Sequence, residues 1–364
     1  MKKKRKPNYK LRRNIAKFIL ILLIFIPIII INKTKIVNAP LYFTYKEYSK
    51  VLDALFEVNY DNKEVVNIIT DLKKNNKIND STDDYILELN NKGYSHNTIN
   101  FILLNLDKKD ITKMLNNKYS KDFEEYIKLP LFNYNKYNRY LSYQKKNTNL
   151  SLEDVTVQIE LDLDKEHYED AVLEDNPDSI TALVNKHRYL DEKYEPSDLV
   201  DMDDKYANNT YRQMRIRKEV YEEFKKMVDD AKDDGIKFYA ESAYRTFSFQ
   251  DNLYKEYVVS YGQAKADTFA ARPGYSEHQL GTSLDIANTW TIKEDSKEYK
   301  WIDENGYKYG FIFRYKEKNE NITGYKAESW HIRYVGKDAA TYIHNHNITF
   351  DEYYAKFIIT KNKK

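Results

Sequence analysis

Two short segments of the 364-residue chain carry residues that could do chemistry together. Ser276-Glu277-His278-Gln279-Leu280-Gly281-Thr282-Ser283-Leu284-Asp285 is answered later by Glu328-Ser329-Trp330-His331. Together they offer two imidazoles, one carboxylate ligand and a spare glutamate. A hydrolytic zinc centre needs that set: three protein ligands, an open position for water, and a base beside it. Histidine is scarce, seven in the whole chain, yet two fall in the two segments that also carry a well-placed acid. There is no Cys, so any zinc ligand must be His, Asp or Glu.

The spacing then constrains the elements. His278 and Asp285 are seven apart, and an odd spacing along one straight strand sends side chains to opposite faces. A turn at Gly281 is therefore expected, folding the chain back so that both residues face one ion. Glu328 and His331 are three apart. A helix would also place them on one face, but Trp-His-Ile-Arg-Tyr-Val at 330–335 favours a strand. Glu328 should then sit on a loop or bulge feeding that strand, with His331 on the metal and Glu328 reaching its water.

Around these segments, 236–242, 284–287, 310–315 and 330–335 read as strands of an antiparallel sheet. Residues 209–234 read as a long amphipathic helix burying Val220, Phe224, Met227, Val228 and Ala231, with Gly235 as its C′ residue. Further helices are expected over 249–261, 297–309 and 337–344. The alternation at 155–162 predicts a half-buried strand. Helices on one face of such a sheet make an α+β domain. The other histidines, His96, His167, His187, His344 and His346, have no acid at motif spacing.

The run Ser242-Ala243-Tyr244-Arg245-Thr246, then Ala271-Arg272-Pro273-Gly274-Tyr275-Ser276-Glu277-His278, then 281–285 and Glu328-Ser329-Trp330-His331, resembles the VanY-type zinc D-alanyl-D-alanine carboxypeptidases. These bacterial peptidases trim the stem peptides of peptidoglycan. The family pattern is roughly S-G-Y-R-S, S-x-H-x-x-G-x-A-x-D and E-x-W-H. Ala243 and Ser283 depart from it, small for small. The resemblance covers about the last two hundred residues and implies a zinc D,D-peptidase (hedgehog-like) fold. It implies Zn2+ held by His278, Asp285 and His331, with Glu328 as general base and acid. Arg245 would stabilise the oxyanion of the tetrahedral intermediate. Ser276, Gln250 and Trp330 would line the substrate pocket; the alternative is ordinary packing and hydrogen bonding beside the site.

Residues 1–17 contain nine Lys and Arg and no acid, and an apolar run follows over 18–31. Pro40 directly after Val37-Asn38-Ala39 obstructs a cleavage site there. The reading is an uncleaved signal anchor over 1–35, basic end in the cytoplasm, with the catalytic part outside the cell membrane of a Gram-positive cell. The alternative is secretion after cleavage. Removing the nine N-terminal cations from the net +2 leaves −7, which gives no basic patch for nucleic acid. Residues 36–150 are polar, Tyr- and Asn-rich and mostly helical in pattern, resembling a degenerate repeat without a firm period. They form either a spacer or a binding module. Residues 151–364 would be the catalytic domain.

The leading expectation is thus a membrane-anchored zinc D,D-carboxypeptidase acting on peptidoglycan stem peptides. A D,D-dipeptidase, or an endopeptidase cutting L-Ala–D-Glu or a cross-bridge, would share the metal site. A wall-binding module keeping only the fold has no use for Glu328.

Overall fold

A computed structural model describes residues 38–289 and 291–359. The chain divides into two compact units, 1–128 and 129–364.

The described part of the first unit is helical. After a short turn of helix at Ala39–Thr44 come α1 (Ser49–Glu57), α2 (Asn62–Lys74), α3 (Thr82–Asn91), α4 (His96–Asn105), α5 (Lys108–Asn116) and α6 (Lys121–Tyr126). A period is present after all. Val51, Leu52, Leu55, Tyr60, Val65, Ile68, Ile69 and Leu72 recur 34 positions on as Tyr85, Ile86, Leu89, Tyr94, Ile99, Ile102, Leu103 and Leu106, and every one is buried. The N-caps recur as well. Asp61 accepts from the Glu64 amide in a capping box, and Ser95 accepts from the Thr98 amide, satisfying backbone donors that the helix leaves orphaned. The pairs α1–α2 and α3–α4 are therefore two copies of one helical hairpin, with too little identity between them for sequence to reveal.

The second unit begins with α7 (Tyr137–Lys146) and α8 (Leu152–Glu160). Two small pairings follow: β1 (Val172–Leu173) with β2 (Arg188–Tyr189), and β3 (Leu199–Asp201) with β4 (Arg215–Arg217). The main sheet contains β5 (Tyr239–Ser242), β6 (Ser283–Ala287), β7 (Phe311–Tyr315) and β8 (Glu328–Tyr334), antiparallel in the order β5-β6-β8-β7. Helix α9 (Lys218–Asp233) packs Val220, Phe224, Met227 and Ala231 against Leu284, Ile286, Phe311, Phe313 and Ile332. It ends as its spacing requires: Gly235 has φ +80°, the Gly235 amide donates to Lys232 and the Ile236 amide to Ala231, the two bonds of a Schellman cap. Helices α10 (Phe247–Tyr261), α11 (Lys297–Asn305) and α12 (Lys337–His346) complete the frame. The fold is α+β with an antiparallel sheet, as expected.

Strand alternation sorts the chemistry from the core. Leu284, Ile286 and Ile332 share the core with α9, while Ser283, Asp285, His331 and Arg333 take the alternate positions and are mostly buried polar groups.

Several expectations are corrected. Residues 155–162 are not a strand: 155–160 are the body of α8 and 161–162 the turn that ends it. Ser151 caps it by accepting from the Asp154 amide, and the polar alternates are buried too: the Tyr143 hydroxyl donates to Gln158, and the Tyr140 hydroxyl to Glu160. Helix α9 starts at Lys218, not 209, because 215–217 pair with β3. The units divide at 128/129 rather than near 150, since Leu131 shares a core with Val157 of α8, Val335 and Phe350.

The expected membrane location is also overturned. Among the described residues no helix is long and apolar enough to cross a membrane, and the segment 1–35 lies outside them.

Candidate active site

Each site residue is delivered by a local feature that its sequence dictates. Strand β5 ends at Ser242, so Arg245 stands just beyond the sheet, its amide donating to the His278 carbonyl. Ser276 caps a single 3-10 turn, Glu277–Leu280, which presents His278. Gly281 then takes φ +64°, a conformation that a Cβ disfavours. A Cβ there would also lie 3.0 Å from Leu199 and Arg217 side-chain carbons. The chain reverses at this point into β6, which carries Asp285 directly opposite His331 of β8. The turn expected at Gly281 is present.

Glu328 opens β8. Pairing with β7 runs from Phe313–Ile332 to Tyr315–Glu328, so β8 spends two extra residues across that interval. Such a bulge re-aims side chains and brings Glu328 and His331 to one side, with Glu328 Oε2 3.6 Å from His331 Nδ1.

His278 Nε2 lies 3.3 Å and His331 Nδ1 3.2 Å from the same oxygen, Asp285 Oδ1. The two rings are perpendicular, 5.0 Å apart. His278 Nδ1 contacts the Ala243 carbonyl at 2.7 Å, which fixes the proton there and leaves Nε2 bare. His331 Nε2 faces Glu277 Oε2 at 3.4 Å, leaving Nδ1 for the cluster. The three donor atoms lie within 4.8 Å of one another. A tetrahedral ion with ligands at about 2.0 Å has ligand–ligand edges of about 3.3 Å, so these atoms need to move little to hold one. Two imidazoles and one carboxylate suit zinc.

Electrostatics separates the roles. Burial pushes the His278 imidazole down to about 4, aided by the Arg245 charge, so its lone pair is available. Burial opposes ionisation of Asp285, yet His278 and Arg245 hold it well below the usual carboxylate range. His331 is held up at about 9: burial opposes its charge, and hydrogen bonds to Asp285 and Glu277 outweigh that. Burial lifts Glu328 to about 7, against the pull of His331. A carboxylate so poised can both take and return a proton near neutrality.

A cavity of about 420 Å³ opens onto this cluster. Ser276, Gln250, Trp330 and Arg245 all line it. Gln250 Nε2 donates to the Ala271 carbonyl, while its buried Oε1 has no partner among the described residues. Ser276 Oγ accepts from the His278 amide at 3.4 Å. The Arg245 guanidinium is ion-paired with Asp285 and donates to Ser242 Oγ at 3.0 Å.

Sequence reasoning missed the groups behind the cluster. Glu277 is fully buried and meets Arg314 Nε at 2.8 Å and Arg333 at 3.1 Å, and Arg314 in turn meets Asp351 at 2.7 Å. The signal was available. Arg314 and Arg333 each stand among apolar strand residues, and a charge at such a position must have a buried partner. Of the remaining histidines, His344 and His346 are exposed and stack on Tyr307 and Tyr342.

Residues 213–337 match the family described as VanY, D-alanyl-D-alanine carboxypeptidase. YodJ of Bacillus subtilis (strain 168), a putative carboxypeptidase, is 43% identical over 188 residues, covering 50% of this chain and 69% of that protein. A D-alanyl-D-alanine carboxypeptidase of Enterococcus faecium is 41% identical over 139 residues, 38% of this chain and 43% of that one. Among solved structures, a mutant of the D,D-pentapeptidase VanY from a VanB-type resistance cassette, in complex with Zn(II), is 33% identical. That likeness covers 48% of this chain and 97% of the other, with a TM-score of 0.42. Site geometry and sequence similarity agree: the chain belongs to the VanY D-alanyl-D-alanine carboxypeptidase family of peptidases.

Proposed function

We infer that this chain is a zinc-dependent D-alanyl-D-alanine carboxypeptidase that removes the terminal D-Ala from peptidoglycan stem peptides. The observation that carries this reading is the meeting of three ligand atoms and one proton-poised carboxylate, Glu328, at the floor of a single cavity. His278 Nε2, Asp285 Oδ1 and His331 Nδ1 would hold the ion. A Zn2+ ion there supplies Lewis acidity, polarising a peptide carbonyl and acidifying a water to a pKa of about 7.

The chain's own residues do the rest. Glu328 takes a proton from the attacking water and returns it to the leaving amine. Arg245, which cannot lose its proton, faces the charge that grows on the carbonyl oxygen. Its pairing with Asp285 holds the guanidinium in place beforehand. Gln250 Oε1 can accept a substrate N–H, and the Ser276 hydroxyl can donate to a substrate oxygen. Trp330 supplies an apolar wall.

The test is incubation of the zinc-loaded protein with muropeptides ending in D-Ala-D-Ala, read by mass spectrometry. Loss of one alanine, abolished by a chelator and restored by zinc, is the expected result. Release of D-Ala-D-Ala or an internal cut would keep the site and move the bond. No cleavage of any wall peptide would overturn the reading.

A further inference from the structure

Helix α10 carries more than Gln250 into the cavity. Gln250, Leu253 and Tyr257 all line it, and Tyr261 is the next residue on the same face, following Tyr257 by four. This face therefore changes character along its length. It is polar beside the metal-ligand cluster, aliphatic at Leu253 and aromatic at the far end.

The aromatic end is built from three rings. Tyr257 and Tyr261 lie 6.4 Å apart, and both meet Phe269, which also lines the cavity, edge-on at 5.2 and 5.5 Å. Lys265 Nζ sits 5.2 Å from the Tyr261 ring centre. Tyr261 is 51% exposed, and the hydroxyls of Tyr257 and Tyr261 make no hydrogen bond among the described residues. Packing thus uses only part of these rings. A single exposed tyrosine would need no explanation. Three mutually braced rings continuous with a catalytic cavity present apolar faces with free polar tips, the kind of surface tyrosine brings to interfaces.

Distance selects the occupant. From Gln250 the helix advances about 10 Å to Tyr257 and about 16 Å to Tyr261, so the aromatic end spans that interval. Four residues of extended peptide span at most about 14 Å, roughly the length of a stem peptide between its penultimate residue and its sugar. A substrate whose scissile bond lies at the metal cluster and whose chain runs along α10 brings its saccharide to these rings. Pyranose rings have C–H faces that stack on aromatic rings and hydroxyls that pair with phenol groups.

We propose that Tyr257, Tyr261 and Phe269 form an amino-sugar platform, so that the enzyme prefers stem peptides still attached to their saccharide. The proposal rests on the carboxypeptidase reading above, and the test separates the two. The full chain is assayed on a disaccharide-linked pentapeptide and on the same pentapeptide without sugar. The expected result is a KM about tenfold lower for the sugar-linked substrate at equal kcat. Tyr261→Ala should abolish that preference while leaving the sugar-free peptide unaffected, and Tyr261→Trp should restore it. Equal KM for both substrates in the unmodified protein, or a Tyr261→Ala effect of the same size on both, overturns the platform. Calorimetric titration of both ligands into the Glu328→Ala protein gives the same decision from affinity. If neither substrate is cleaved, the carboxypeptidase reading fails while titration still decides whether sugar is bound.

Discussion

Glu328 and Glu277 flank the same imidazole, and their surroundings drive them in opposite directions. Glu328 is lifted to about 7 by burial. Glu277 is buried more deeply still, but the guanidinium groups of Arg314 and Arg333, with His331, hold it well below the ordinary carboxylate range. One is equipped to exchange protons, the other to stay charged and orient a ligand, as carboxylates behind metal-bound histidines do. Two outcomes follow at this scale. Glu328→Gln should lower kcat by about 10²–10⁴-fold while the zinc content of the purified protein stays stoichiometric; full activity would remove Glu328 from its role. Glu277→Gln should weaken zinc binding by about 10–100-fold in chelator competition. It should also destabilise the fold by about 3 kcal/mol, because buried arginines lose a counter-charge. Unchanged zinc affinity alongside lowered stability would make Glu277 a purely structural group.

At the scale of elements, the site depends on two departures from regular structure. The left-handed turn at Gly281 sets the phase between His278 and Asp285, and the bulge in β8 sets the phase between Glu328 and His331. Gly281→Ala combines an unfavourable φ of +64° with a Cβ 3.0 Å from two side-chain carbons. A loss of about 1–3 kcal/mol is expected for such strain, visible as a lower urea midpoint, with a disproportionate loss of zinc affinity because the two ligands lose register. Equal zinc affinity would show that the turn can be re-formed another way. The helical hairpins of the first unit make the same point. Their repeat is carried by burial positions and caps, which tolerate Val for Tyr or Asp for Ser, so pattern outlives identity.

For the molecule as a whole, the sheet acts as a partition. One face shares the α9 core; the other holds a connected set of buried charges reaching from His331 through Glu277 and Arg314 to Asp351 and Asn185. Close to that end lies His187, buried, with neither ring nitrogen hydrogen-bonded among the described residues. Burial pushes it down to about 4, and the nearby His167 adds to the shift. Between that value and the ordinary 6.5, the unfolded chain binds a proton that the folded chain refuses. Stability should therefore be fully present above a pH of about 6.5 and fall as pH drops toward about 4. His187→Leu should flatten this part of the profile in urea unfolding, and an unchanged slope would assign it to other groups.

The sequence alone was enough for the family and for the residues that meet at the site, because zinc chemistry restricts residue types so tightly that two short segments suffice. It also located α9, the Gly235 cap and the strands carrying the ligands, since an amphipathic period reports a face buried by one neighbour. It misread 155–162, where Gln158 and Glu160 are polar yet buried, because alternation indicates a strand only if the polar side meets water. It anticipated a loop or bulge at Glu328 but could not show Glu277 as the partner of His331, or the 34-residue repeat. Those depend on which distant residues meet: a buried carboxylate is identified by its two arginines, 37 and 56 positions away. Chemistry was legible from residue types, while orientation and support came only from the tertiary contacts that bury them.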